Sequence, residues 1–333
     1  MAFFHLLHLS DFHLAVRPHV VAWPDRFDAR NDPDEEIRLL FSSSHNLNVA
    51  RVVASRCYLF SEPLDALLIT GDLATTGDDH DLDVAWRLVE APGQSPSAPW
   101  LTAEEQPTLA AREKPIFLMP GNHDRFDGVV KRAGGTSFFG YFSPKYWPAA
   151  DRVKSYPVLE RDGERLAIIA ADLCLAGNTD ASWRVGGFFA WLGQGRAYAS
   201  VLAALGRKTV ETRSRFGPVA IVWAVHFPPH FKGLPGSLVL LEQDRLVEAA
   251  RAAGVAHLFA GHTHEARPYV VPGSPLLSVY CAGTAMQYVA PHGNTIHPLT
   301  IEVVHGQVVQ VDWQTLRWDA AVADFRPVHL EVS

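Results

Sequence analysis

The chain has 333 residues, 48% of them hydrophobic and 20% charged, enough apolar content for a large core and too much for a disordered or low-complexity protein. A net charge of −7 and a pI near 6.1 give no global field for a polyanion, which counts against a nucleic-acid partner. Cys57, Cys174 and Cys281 are too few and too scattered for a disulfide framework and read as buried thiols.

In chain order, an apolar strand over Phe3 to Leu9, with His5 and His8 as structural residues, is followed by a Pro-, Asp- and Arg-rich loop from Val16 to Glu36. Trp23 and Phe27 in that loop suit core packing or contact with a substrate base. A helix over Asn46 to Phe60 and a strand over Ala66 to Thr70 follow. The acidic run Asp78 to Asp83 reads as a solvated face or as helix N-terminal charge, with a helix over Asp83 to Glu90. Ala91 to Pro115 reads as a long surface loop, so insertions are expected near residues 16–48 and 91–115. After the strand Pro115 to Met119, the aromatic stretch Phe138 to Trp147 suits a lid or a contact between copies in a homo-oligomer.

Beyond Tyr156 short strands and turns dominate: Asp162-Gly163 and His305-Gly306 each join two strands as hairpin turns. Asp172, ending the apolar run Leu166 to Ala171, shapes a cleft or caps a turn. Helices over Ala197 to Arg213 and Glu242 to Ala253 alternate with strands over Val219 to Val225 and Val255 to Ala260. Crossovers of this kind build a mixed, largely parallel sheet, and the hairpins are expected to form a second one. Two facing sheets flanked by helices, in a single α/β domain over residues 1–333 with C-terminal hairpins, is the expected fold. No run of about 18 apolar residues reads as a membrane span. The N-terminus lacks a basic start and a small-residue cleavage site, so a cytoplasmic protein is expected.

Chemistry gathers where five of these strands end. Asp11-Phe12-His13, Gly71-Asp72, Gly121-Asn122-His123-Asp124, His226 and Gly261-His262-Thr263-His264 each follow an apolar run. In an open α/β sheet functional groups converge beyond the carboxyl ends of strands, and this set supplies oxygen and nitrogen ligands for two cations. If the segments stay extended, alternation lets Asp11 and His13 face one ion, and His262 and His264 a neighbouring one. Gly71, Gly121 and Gly261 each precede a proposed ligand, where a missing side chain permits unusual backbone angles and close approach.

The order D-x-H, G-D, G-N-H-D, H, G-H-x-H resembles the calcineurin-like metallophosphoesterase family over residues 11 to 264. The resemblance implies a four-layer αββα sandwich. It implies one metal bound by Asp11, His13, Asp72 and His264, a second by Asp72, Asn122, His226 and His262, and Asp72 as the bridge. Such a nitrogen and oxygen set without thiolate suits two divalent or mixed-valence ions drawn from Mn, Fe, Zn or Co. Paired ions about 3.5–4 Å apart lower the pKa of a shared water towards about 7 and neutralise charge on phosphoryl oxygens. The implied reaction is attack of a metal-bridging hydroxide on a small phosphate ester. The histidine of G-N-H-D, His123, is implied as the proton donor to the leaving group.

The match departs from one branch of the family. Protein phosphatases resemble G-D-x-x-D-R-G, with an aspartate that orients the catalytic histidine and an arginine that clamps phosphate; here Thr75 and Thr76 stand at those positions. Asp124 is the substitute orienting group that the sequence offers. Asp11-Phe12-His13-Leu14 and Gly71-Asp72-Leu73 are similar to the bacterial cyclic-nucleotide and glycerophosphodiester phosphodiesterase branch. A phosphodiester, with a 3',5'-cyclic nucleotide as the example, is therefore the expected substrate. A phosphomonoesterase, a nuclease of the same family and a non-catalytic metal-stabilised scaffold are the alternatives. His80 and His230, close behind Asp72 and His226 in sequence, are weaker candidates for substrate contact.

Overall fold

The computed structural model describes residues 1–15, 45–59, 64–90, 109, 114–128, 130–149, 151–180, 193–274, 276–288, 290 and 292–328. Trp23, Phe27 and most of both expected insertions lie outside the described residues.

The chain opens one sheet with β1 (Ala2–Leu9), β2 (Ala66–Ile69) and β3 (Ile116–Leu118), parallel neighbours separated by helices α1 (Leu47–Leu59) and α2 (Asp79–Val89). After α3 (Ser137–Phe142) it moves to a second sheet of β4 (Val153–Ser155), β5 (Leu159–Arg161), β6 (Glu164–Ala171), β7 (Ala220–Val225), β8 (His257–Ala260), β9 (Arg267–Val270) and β10 (Ser278–Cys281). Helices α4 (Ala199–Phe216) and α5 (Gln243–Ala252) are the crossovers of its parallel centre, β6, β7, β8 and β10. The chain then returns to the first sheet with β11 (Thr295–Val304), β12 (Gln307–Trp313), β13 (Thr315–Asp319) and β14 (Asp324–Val328). Each sheet has seven strands, ordered β14-β13-β11-β1-β2-β3 with β12 on β11, and β9-β10-β8-β7-β6-β4 with β5 on β6.

Alternation along the strands explains the layers. Leu166, Ile168 and Ala170 of β6 and Ala220, Val222 and Ala224 of β7 share a core with Phe4 and Leu6 of the first sheet. Their neighbours Ala167, Ile169, Ala171, Ile221, Trp223 and Val225 pack instead with Val201, Leu202 and Leu205 of α4 and Leu246 and Ala250 of α5. On the far side of the first sheet, Val49, Ala50 and Val53 of α1 and Leu82, Ala85 and Leu88 of α2 complete the four-layer sandwich. Each such leucine contributes about 1.5–3 kcal/mol by burial.

The acidic run behaves as helix-start charge. Asp78 caps α2 by accepting the N–H of His80, and Asp79 and Asp81 sit in the first turn, where the helix dipole favours negative charge. Both hairpin turns hold two consecutive positive-φ residues, Asp162 (49°) with Gly163 (79°) and His305 (51°) with Gly306 (71°), the requirement of a two-residue turn matching strand twist.

Two expectations are corrected. The His305-Gly306 hairpin belongs to the first sheet, because β11 runs antiparallel to β1 with Leu6 opposite Leu299 and His8 opposite His297. The aromatic stretch is packed inward: Phe138, Phe142, Tyr146 and Trp147 are buried, and Phe142 stacks on Phe138 at 4.7 Å between ring centroids. Cys174 and Cys281 are buried and Cys57 half-buried, none in a disulfide. Among the described residues no helix is long and apolar enough to cross a membrane.

Candidate metal centre

Parallel strands of both sheets end at one edge, and the turns after β1, β2, β3, β7 and β8 bring the polar segments together. The turn after β1 does not stay extended. Asp11 and His13 have φ of 53° and 51°, Asp72 of 54°, and His262 and His264 of 71° and 55°. Left-handed backbone is unfavourable for non-glycine residues and clusters at sites where the surroundings enforce it. Backbone bonds do so here: Asp11 and Leu14 N–H donate to Gly71 and Leu73 carbonyls at 3.0 and 2.8 Å, and Phe12 N–H donates to Asp72 O at 2.8 Å.

The three glycines act mainly by absence. A Cβ on Gly71 would lie 2.6 Å from Gly121 N and 2.8 Å from His226 Nδ1, one on Gly121 2.2 Å from Asp72 Oδ1, and one on Gly261 1.9 Å from Ser10 Oγ. Of the three, Gly71 also has a positive φ, 102°. Close approach of backbone to side chain is thus common to all three, and an unusual angle belongs to one.

At the centre, Asp11, His13 and His264 converge, as do Asp72, His226 and His262, each with ligand atoms within 4.8 Å of one another. Asp72 also groups with His13 and His123. Nε2 of His13 and Nε2 of His264 are 3.2 Å apart. Asp11 Oδ1, fully buried, receives no well-angled hydrogen bond and has His264 Nε2 at 3.2 Å. On the other side Asn122 Oδ1 lies 3.1 Å from both His226 Nε2 and His262 Nδ1, and Asp72 Oδ2 is 3.2 Å from His226 Nε2. Lone pairs aimed at one another, with a buried carboxylate oxygen left over, are the arrangement that cations satisfy, so the residues fit a pair of divalent ions.

The remaining ring nitrogens are held by carbonyls. His226 Nδ1 donates to Thr70 O at 2.7 Å and His262 Nε2 to Leu238 O at 2.8 Å, which fixes the tautomers and leaves the opposite nitrogens as lone-pair donors. Leu238 lies in a short turn next to the Leu240–Leu241 pairing with Gly195–Arg196, and no sequence signal marks such a backbone partner.

Charge is distributed unevenly. Burial opposes charging of His226, but Asp72 and then Asp11 outweigh it and push the imidazole up to about 9. Burial and the neighbouring His226 push His262 down to about 3. Burial also acts to raise Asp72, yet His226 and His123 hold it well below the usual carboxylate range.

His123 is half-buried, its ring 4.6 Å from His13 and its Nδ1 donating to the carbonyl of Thr75 at 2.7 Å; its own N–H donates to Asp72 Oδ1 at 2.8 Å. The orienting group at this position is therefore backbone, supplied by the residue that stands where the protein phosphatases have aspartate. Thr75 Oγ1 turns the other way, to His13 O at 2.6 Å, and Thr76 Oγ1 donates to Asp81 at 2.7 Å. Asp124 does not have the place that the sequence offered it. Its carboxylate accepts Gly121 N–H at 2.9 Å, Ala74 N–H at 2.9 Å and Leu73 N–H at 3.2 Å, clasping the turns that carry Asp72 and Asn122. The two weaker candidates have partners of their own. His80 is exposed in the first turn of α2, and His230 pairs through Nε2 with Asp244 at the start of α5, 2.8 Å away.

Two sheets facing each other, with nitrogen and oxygen ligands from both converging at one edge, define the class: a dinuclear metallophosphoesterase fold. The calcineurin-like phosphoesterase pattern matches residues 4–266, and the chain belongs to that family of metal-dependent phosphoester hydrolases. No curated protein matches it in sequence. Among solved structures it is similar to a dimetal phosphatase from Danio rerio, at 11% identity and a TM-score of 0.56, covering 94% of each chain. It is also similar to the Thermus thermophilus sulfate thiohydrolase SoxB, at 13% identity and a TM-score of 0.48, covering 94% of this chain and 56% of that one. GAP50 of Plasmodium is 11% identical with a TM-score of 0.46, covering 94% and 88%. At 11% identity the likeness to the dimetal phosphatase is one of fold.

Proposed function

We propose that the chain hydrolyses a phosphodiester, with 3',5'-cyclic nucleotides as the representative substrates, at a centre whose ligands are Asp11, His13, Asp72 and His264 on one side and Asp72, Asn122, His226 and His262 on the other. The observation that carries the choice of diester is the Thr75-Thr76 pair. Both hydroxyls are spent on the protein itself, and neither can supply the guanidinium fork that a phosphomonoester dianion favours. A diester carries one negative charge and needs less compensation. Asp11-Phe12-His13-Leu14 and Gly71-Asp72-Leu73 support the bacterial phosphodiesterase branch.

Bound at these ligands, two divalent ions supply a water nucleophile at neutral pH and neutralise charge on the phosphoryl oxygens. The chain's own residues do the rest. A water oxygen bonds to phosphorus while the bond from phosphorus to the leaving oxygen breaks with its electron pair on that oxygen. His123, held through Nδ1 by Thr75 O and carrying a second proton on Nε2, gives that Nε2 proton to the leaving oxygen and later regains one from solvent. The proton shed by water passes to solvent, and a phosphomonoester and a free hydroxyl result, both on one molecule when the substrate is a cyclic nucleotide. Mn-loaded protein assayed on cyclic nucleotides, bis(p-nitrophenyl) phosphate, a phosphomonoester and single-stranded DNA tests the reading. Preference for the monoester overturns the diester assignment, and preference for the DNA favours the nuclease.

A further inference from the structure

His123 follows a strand of the first sheet, whereas His226, His262 and His264 follow strands of the second. Besides the His226 Nδ1 bond to Thr70 O, the two sets are linked by a pair of residues that the motif does not include. Arg125, two residues after His123, is buried at 8% exposure. Its N–H donates to Asn122 O at 3.2 Å, closing the turn that displays His123. Its Nε donates to Gly135 O at 2.8 Å, its carbonyl accepts Gly134 and Gly135 N–H at 3.2 and 2.9 Å, and its guanidinium lies 4.6 Å over the ring of Phe139. Nη1 pairs with Asp172 Oδ2. Asp172 is fully buried immediately after β6, the neighbour of the strand that leads to His226. Its other oxygen accepts the N–H of Cys174 at 2.9 Å, the turn-capping role, and meets Arg152 Nη2 at 3.3 Å.

We infer that Arg125 and Asp172 form a clamp between the sheets that acts as a positioning device for His123, holding its ring where a leaving oxygen can take its proton. This rests on the diesterase reading above. A buried ion pair rarely adds stability over an apolar pair of the same volume, so stability alone does not account for one beside a reacting residue. The guanidinium is suited to the task because its planar fork spans Gly135 O and Asp172 together, which an ammonium cannot do. Arg152, just before β4, meets the same carboxylate and, among the described residues, makes no direct bond to the His123 turn, so it serves as the internal control.

The test exploits leaving-group chemistry. Nitrophenolate departs readily without a proton, whereas phenolate, with a pKa near that of tyrosine at about 10, benefits from one. Wild type, Arg125→Lys, Asp172→Asn and Arg152→Gln are loaded with Mn, their metal content is measured, and kcat and KM are determined on bis(p-nitrophenyl) phosphate and diphenyl phosphate. In the two clamp variants kcat on diphenyl phosphate should fall about tenfold or more and kcat on the nitrophenyl ester less than about threefold, with KM and metal content retained. Arg152→Gln should keep the wild-type ratio. If Asp172→Asn does not fold by circular dichroism, Arg125→Lys decides. Equal slowing of both esters in the clamp variants, or loss of metal as the source of the effect, overturns the inference while leaving the diesterase reading intact. Wild-type protein inert to both esters overturns that reading and the inference with it.

Discussion

Replacing Asp124 by alanine removes the acceptor of three buried backbone N–H groups at once, those of Leu73, Ala74 and Gly121. Each donor left without a partner costs about 1–3 kcal/mol, so the simple sum is about 3–9 kcal/mol. Water entering the space left by the carboxylate relieves part of this, and broken buried networks generally cost about 3–5 kcal/mol, which is the loss we expect. At roughly 1.4 kcal/mol per factor of ten, even the lower bound shifts the folding equilibrium more than a hundredfold. Leu73 and Ala74 follow Asp72, and Gly121 precedes Asn122, so metal affinity should weaken as well. Urea unfolding in the presence of a chelator isolates the protein's own stability from the contribution of bound metal. Asp124→Asn, which places an amide N–H₂ towards at least one N–H donor, should lie between wild type and alanine. An alanine variant within about 0.5 kcal/mol of wild type would show that the three bonds do not hold the two turns.

His123→Ala should lose about 10²–10⁴-fold in turnover on esters with poor leaving groups while keeping its metal content by elemental analysis; loss of the metal instead would make His123 a ligand. Asp72→Asn should weaken both ions together, and titration showing one site unchanged would refute its bridging position. Because a coordinating imidazole must be neutral and His226 is pushed up to about 9, metal affinity should rise with pH by up to about tenfold per unit between roughly 7 and 9 and level off above. Chelator competition across that range reads the slope, and a flat profile contradicts it. His8, buried against Thr70, is pushed down to about 3, so the unfolded chain takes its proton below about 6.5 while the folded chain does not. That contribution to stability is present above about pH 6.5 and is lost at up to about 1.4 kcal/mol per unit as pH falls towards 3. In His8→Gln the pH dependence of the unfolding free energy should be shallower by one proton; an unchanged slope counts against the buried neutral imidazole.

Much of the fold can be read from local pattern. The runs before Asp11, Asp72, Asn122, His226 and His262 are strands within two residues of the expected bounds, because strands buried on both faces read as near-continuous apolar runs. Helices α1 and α5 lie within one residue of the expected bounds and α4 ends three residues later, whereas α2 starts four residues earlier than expected because acidic residues are favourable in a first turn. The polar segments themselves were legible as a set but not in conformation. Alternation predicts a shared direction for Asp11 and His13, yet their left-handed backbone comes from hydrogen bonds to Gly71 and Asp72, some 60 positions away, which no local rule can see.

The sequence by itself determined which atoms are available to grip cations and the strand ends that carry them, since residue type and apolar periodicity are local properties. Only the tertiary structure decided which nitrogens face inward, that a threonine carbonyl accepts the Nδ1 proton of His123, that Asp124 clasps two turns, and that the last hairpin joins the first sheet. Those outcomes depend on hydrogen-bond partners and strand neighbours brought together by folding, and the energy of such contacts is not written in any one segment of the chain.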